Sequence, residues 1–175
     1  MNLPNWITLF RILTVPLLVY YLLNPGLPFN KYIAVAIFVI VAVSDYIDGY
    51  LARKLKKETD LGKFLDPLAD KILVISALIC LVELRVVSSI PVILIVVRDL
   101  AVIGIRLTAS SFGRVIAADT MGKYKTVLLD ISVAMLIIGM PYGALVLWFA
   151  AILAVVSGMD YFIKNKRYLY GRVRS

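Results

Sequence analysis

The chain is built of long apolar runs separated by short polar breaks. The runs cover about residues 3–23, 30–55, 61–84, 90–111, 120–140 and 144–163. Each is close to the ~20 residues that an α-helix needs to cross the hydrocarbon core of a bilayer. Between them lie Asn24-Pro25-Gly26-Leu27-Pro28, a charged turn from Arg53 to Asp60, a short turn marked by Glu83, Arg85, Ser88 and Ser89, a stretch from Ser110 to Asp119, and Pro141-Tyr142-Gly143. Glycine and proline at such breaks end helices. The pattern predicts an all-α fold, a polytopic membrane protein of six transmembrane helices with an N-terminal interfacial helical segment. That segment, residues 3–10, carries Trp6 as an interface anchor, and Pro16 offers a bend in the first span. No internal repeat or linker interrupts the chain, so residues 1–175 are expected to form a single integral-membrane domain.

Composition agrees. The chain is 62% hydrophobic, with a mean hydropathy of +0.93, against roughly 45–50% apolar residues in soluble domains. Its net charge is +8, but the bases gather at the ends of the apolar runs. That suits an anionic membrane surface and phosphate-bearing ligands, and argues against nucleic acid. The tail (Lys164, Lys166, Arg167, Arg172, Arg174), the turn at 53–63 and the segment 114–125 hold most of the Lys and Arg, whereas the opposite loops offer Lys31 and Arg85. The positive-inside rule then puts both termini and the 53–63 turn in the cytoplasm, in a cytoplasmic membrane. Residues 1–23 lack a basic front end and are interrupted by Arg11, so no cleaved signal is expected. There is no histidine and one cysteine. Imidazole chemistry and a disulfide framework are excluded, and a general base must be carboxylate, Lys or Tyr.

Candidate chemistry concentrates around the turn between the second and third runs. Asp45 and Asp48 close one apolar run, and Asp66 and Asp70 open the next. Ionised groups are costly there and usually functional. On helices, Asp45 and Asp48 are i,i+3 neighbours with Gly49 and Ala52 on the same stripe, and Gly62, Asp66 and Asp70 are spaced i,i+4,i+8. A hairpin brings all of them to one shallow depth. Carboxylates at one depth repel unless cations join them, and an oxygen-only donor set suits hard divalent metals, Mg²⁺ or Mn²⁺, that also hold a substrate phosphate. Small residues on the same stripes leave room for a phosphate group or for close helix packing. A proton or cation transporter is the other class of function, but such proteins place their carboxylates near the midplane of repeated halves.

The spacing D-x2-D-G-x2-A-R-x8-G-x3-D-x3-D, from Asp45 to Asp70 through Asp48, Gly49, Ala52, Arg53, Gly62 and Asp66, resembles the signature of the CDP-alcohol phosphotransferases. These are membrane enzymes that join a CDP-activated group to an alcohol with release of CMP. The resemblance implies that Asp45, Asp48 and Asp66 bind one metal ion, that Asp45, Asp66 and Asp70 bind a second, and that Asp70 is the general base. It also implies nucleotide or CDP-lipid contacts at Gly49, Ala52, Arg53, Thr59 and Gly62, further contacts at Thr8 and Arg11, and a homodimer. Thr59 has a second reading as the N-cap of the third helix. Arg11 has one as a side chain snorkelling to lipid phosphate.

Cations further along bear on the acceptor. Arg98-Asp99 with Arg106, and Gly122-Lys123-Tyr124-Lys125-Thr126, resemble features of the branch of that family that makes phosphatidylglycerophosphate. The donor there is CDP-diacylglycerol and the acceptor sn-glycerol 3-phosphate. The resemblance implies acceptor binding by Arg98, Arg106, Lys123 and Lys125. Arg98 can instead pair with Asp99 or Asp130. Val127 stands where that branch tends to carry glutamine. Inositol phosphate, or phosphatidylglycerol as in cardiolipin synthesis, are the other acceptors the same chemistry allows.

Overall fold

A computed structural model describes residues 3–55, 60–111 and 120–165, and among these the side chains of 10–44, 71–109 and 121–165. The described residues form helices α1 (Leu3–Leu23), α2 (Asn30–Leu55), α3 (Asp60–Glu83), α4 (Ser89–Ser111), α5 (Thr120–Ile138) and α6 (Gly143–Asn165), with no strand among them. Pro16 lies inside α1 without ending it.

Local chemistry sets the helix ends. Asn24 Nδ2 donates to Tyr20 O at 2.7 Å, occupying a carbonyl at the end of α1. At the end of α3, the Val86 amide donates to Leu81 O and the Arg85 amide to Val82 O, both at 2.9 Å, while Arg85 takes a left-handed φ of 56°. This paired closure satisfies two orphan carbonyls of the last turn. The end of α5 repeats it with the residue best suited to the conformation. Gly139 has φ 75°, its amide donates to Leu136 O at 3.1 Å, and the Met140 amide donates to Met135 O at 2.9 Å. The fifth helix therefore stops at Ile138, short of the Met140 expected from hydropathy. The α4 N-terminus is capped by Ser88 Oγ, which accepts from the Ile90 amide at 3.3 Å.

The chain divides into two compact units, Met1–Val87 with Val133–Gly143, and Ser88–Ser132 with Ala144–Ser175. In the first, α1 packs against both α2 and α3, and α2 touches α3. Buried positions recur at helical spacing: Leu18 and Leu22 on α1, Ala34, Phe38 and Val41 on α2, and Leu73, Ala77 and Leu81 on α3. Each helix thus turns one apolar stripe toward its neighbours.

In the second unit, α6 buries Leu147, Ala150, Ala154, Ser157 and Tyr161 and exposes Leu145, Phe149, Ile152, Val156, Met159 and Ile163. Both sets keep helical spacing, so up to Met159 this helix is apolar outside and turns Ala150, Ala154 and Ser157 inward, while Asp160 and Lys164 pair on the exposed side of its last turns. That inversion is what a helix bordered by lipid requires. By length and composition α6 is able to cross a membrane, and Phe10–Leu23 and Asn30–Ser44 are shorter apolar helices.

Candidate active site

The aspartate motif falls on two helices of the first unit. Asp45, Asp48, Gly49, Ala52 and Arg53 lie on the last turns of α2, and Gly62, Asp66 and Asp70 on the first turns of α3. Both stretches are α-helical, so the expected i,i+3 and i,i+4 registers hold along the backbone. Asp48 and Asp66 stand seven and six residues from the adjoining helix ends, Leu55 and Asp60, and Asp45 and Asp70 each stand ten residues from them. The side chains of these residues, and Thr59 altogether, lie outside the described residues. So does the side chain of Thr8, whose backbone belongs to α1. Arg11, one turn further on, is only 3% exposed. A snorkelling arginine keeps its head group outside the protein, and this one does not.

In the second unit, the four cations expected on the acceptor side divide into two kinds. Lys125 is 1% exposed, and its Nζ donates to both carboxylate oxygens of Asp99 at 2.8 Å. Arg98 adds a second cation to the same carboxylate, with Nη1 donating to Asp99 Oδ1 at 3.0 Å. Its Nη2 donates to Ser157 Oγ on α6 at 3.0 Å, and Ser157 Oγ in turn donates to Ala154 O at 3.1 Å. Asp99 is thus the partner Arg98 takes of the two that the sequence offered. The triad carries a net positive charge, and burial is tolerable because the charges are paired and hydrogen-bonded. Gly158 makes the arrangement possible: a Cβ there would lie 2.7 Å from Arg98 Cγ. Gly122 on α5 closes the other side, where a Cβ would meet Arg98 Nη2 at 3.5 Å.

Arg106 and Lys123 are placed differently. Lys123 is exposed on the first turn of α5. Arg106 is half-buried; its Nε donates to the Tyr161 hydroxyl at 3.3 Å, and its guanidinium carbon stands 5.7 Å from the centre of that ring. Sequence reasoning assigned nothing to Ser157, Gly158 or Tyr161. The available signal is the cluster Ser157-Gly158-Met159-Asp160-Tyr161, which interrupts an apolar run.

The family model for CDP-alcohol phosphatidyltransferases matches residues 1–156. The chain belongs to that family. Similar curated relatives agree over nearly their whole length. One from Bacillus subtilis is 40% identical over 94% of this chain and 95% of its own, one from Haemophilus influenzae 36% over 91% of each, and one from Rickettsia bellii 33% over 95% and 97%. All three are named CDP-diacylglycerol--glycerol-3-phosphate 3-phosphatidyltransferase. Within this CDP-alcohol phosphatidyltransferase, the matched residues include the aspartate motif and Arg98, Arg106, Lys123 and Lys125, whereas Ser157, Gly158 and Tyr161 lie just beyond the matched range.

Proposed function

We propose that the chain transfers the phosphatidyl group of CDP-diacylglycerol to sn-glycerol 3-phosphate. The observation that carries this is the complete eight-position motif on α2 and α3 of a chain whose relatives bear that enzyme's name. A hydroxyl oxygen of the acceptor forms a new bond to the phosphorus bearing diacylglycerol. The pyrophosphate bond to that phosphorus breaks, and CMP leaves with the bonding pair.

Four aspartates on packed helices, at matching distances from the adjoining helix ends, are a donor set that fits hard divalent cations. Asp45, Asp48 and Asp66 would hold one ion and Asp45, Asp66 and Asp70 a second, Mg²⁺ or Mn²⁺. Bound there, such ions neutralise the pyrophosphate and polarise the phosphorus under attack. Asp70 takes the proton of the attacking hydroxyl. Arg53, with Gly49, Ala52, Thr59 and Gly62, holds the CDP end of the donor, and Thr8 and Arg11 extend that contact. Arg98, Arg106, Lys123 and Lys125 form the acceptor side, Arg106 and Lys123 meeting the phosphate directly. The six helices span a cytoplasmic membrane with both termini and the motif on the cytoplasmic side, and the working unit is a homodimer.

The test is a transfer assay in membranes with CDP-diacylglycerol and labelled sn-glycerol 3-phosphate, inositol phosphate or phosphatidylglycerol. Labelled lipid is expected from glycerol 3-phosphate alone. Product from another acceptor instead would move the chain to another branch of the family.

A further inference from the structure

Two of the four acceptor-side cations are already committed. Lys125 and Arg98 bind the Asp99 carboxylate, which leaves Arg106 and Lys123 as the cations able to meet a soluble dianion. An exposed lysine is a mobile point charge, but an arginine whose plane is fixed offers a directed pair of donors. Arg106 has such a support. Tyr161 is 3% exposed and packs with Val102 and Ile105, so its ring is set by the core of the unit. The backbone beneath it is held too, since Asn165 Nδ2 donates to Tyr161 O at 2.8 Å.

We infer that Tyr161 is a positioning residue for the acceptor phosphate, holding Arg106 by its Nε so that the two terminal nitrogens face the ligand as a pair. The inference rests on the acceptor reading above and adds a residue to it. The Nε–H goes to the Tyr161 hydroxyl, and the ring attracts the guanidinium within the ~6 Å range of a cation–π contact. What remains is the end of the fork, Nη1 and Nη2, which matches two phosphate oxygens. The α4–α6 contacts at Arg98–Ser157 and Arg106–Tyr161 advance in the same sense along both helices. Helix α6 therefore supports both arginines of α4, anchoring one in a buried triad and aiming the other.

The experiment uses the full-length protein in nanodiscs. Tyr161→Phe keeps the ring and its packing and removes only the hydroxyl. It is expected to raise the KM for sn-glycerol 3-phosphate, and the inhibition constant of inorganic phosphate, about three- to tenfold. The KM for CDP-diacylglycerol and kcat should stay within about twofold, as expected when a binding contact alone is lost. Arg106→Lys keeps the charge but has no Nε–H, so adding Tyr161→Phe to it should change nothing more. Three results overturn the inference: unchanged acceptor and phosphate constants in Tyr161→Phe, equal losses for both substrates, or full additivity with Arg106→Lys. A wild-type protein that makes no lipid from glycerol 3-phosphate removes the acceptor reading and this inference with it. A wild type that makes the lipid, beside an unaffected Tyr161→Phe, removes the inference alone.

Discussion

Lys125 places its ammonium 2.8 Å from both carboxylate oxygens of Asp99, and neither side chain is more than 4% exposed. With Arg98 on the same carboxylate, two cations share one anion. Their order of importance to the fold follows from the charge left behind when each is removed.

Asp99→Asn leaves Arg98 and Lys125 buried side by side without the carboxylate they share. The loss should be on the scale of breaking a buried ion pair, about 3–5 kcal/mol. Lys125→Met leaves a neutral Arg98–Asp99 pair and fills similar volume, so its cost should be smaller, about 1–2 kcal/mol. Unfolding of the two variants in one detergent gives the order directly. A Lys125→Met protein as unstable as Asp99→Asn would mean that the triad is not held by charge balance.

Glycines on two helices supply a second, internally controlled comparison. A Cβ at Gly158 would stand 2.7 Å from Arg98 Cγ, whereas one at Gly104 meets nothing within 4 Å. Gly158→Ala should therefore push Arg98 off Ser157 and cost about 1–3 kcal/mol. Gly104→Ala, inside α4, should be neutral or stabilise by about 0.5–1 kcal/mol through helix propensity. Equal thermal midpoints for the two variants would refute the close approach.

These contrasts show where the sequence is informative. Hydropathy locates the six helices because run length and turn residues are local properties, and it misses the end of α5 because Gly139 adopts a left-handed conformation before the apolar run stops. The aspartates were legible as a motif because their spacing is also local. The family resemblance gives Lys123 and Lys125 one role, although two residues along a helix turn a side chain to another face. Tyr161 and Ser157 act on residues more than fifty positions earlier. No local pattern marks a partnership of that kind; it depends on helix packing within the unit.

Asp70 and the other aspartates are tested by activity. Asp70→Asn should lower turnover by about 10² or more, the usual contribution of a positioned base, while CDP-diacylglycerol binding is largely retained. A chelator should abolish transfer, and Mg²⁺ or Mn²⁺ should restore it. Asp45→Ala and Asp66→Ala should be worse than Asp48→Ala, because each would serve both ions. Full activity in chelator, or near-normal turnover of Asp70→Asn, would sink the corresponding part of the mechanism.

Lys123 and Lys125 provide the sharpest separation of ligand binding from folding. They are two residues apart on α5, one exposed and the other 1% exposed against Asp99. Lys123→Ala removes a cation from the surface, where it touches the fold little, so the melting temperature should hold. If Lys123 meets the acceptor phosphate, the KM for glycerol 3-phosphate should rise about tenfold or more, the scale of a lost charge-assisted bond of roughly 1.5–3 kcal/mol. Lys125→Ala should do the opposite, lowering the melting temperature before either KM moves. Arg53→Ala, on the donor side, should raise the KM for CDP-diacylglycerol and spare that for glycerol 3-phosphate. The comparison needs chemistry slower than substrate release, so that KM reports binding, and single-turnover rates check that condition. A Lys123→Ala enzyme with both constants unchanged would leave Arg106 as the sole direct contact to the acceptor phosphate among these four cations.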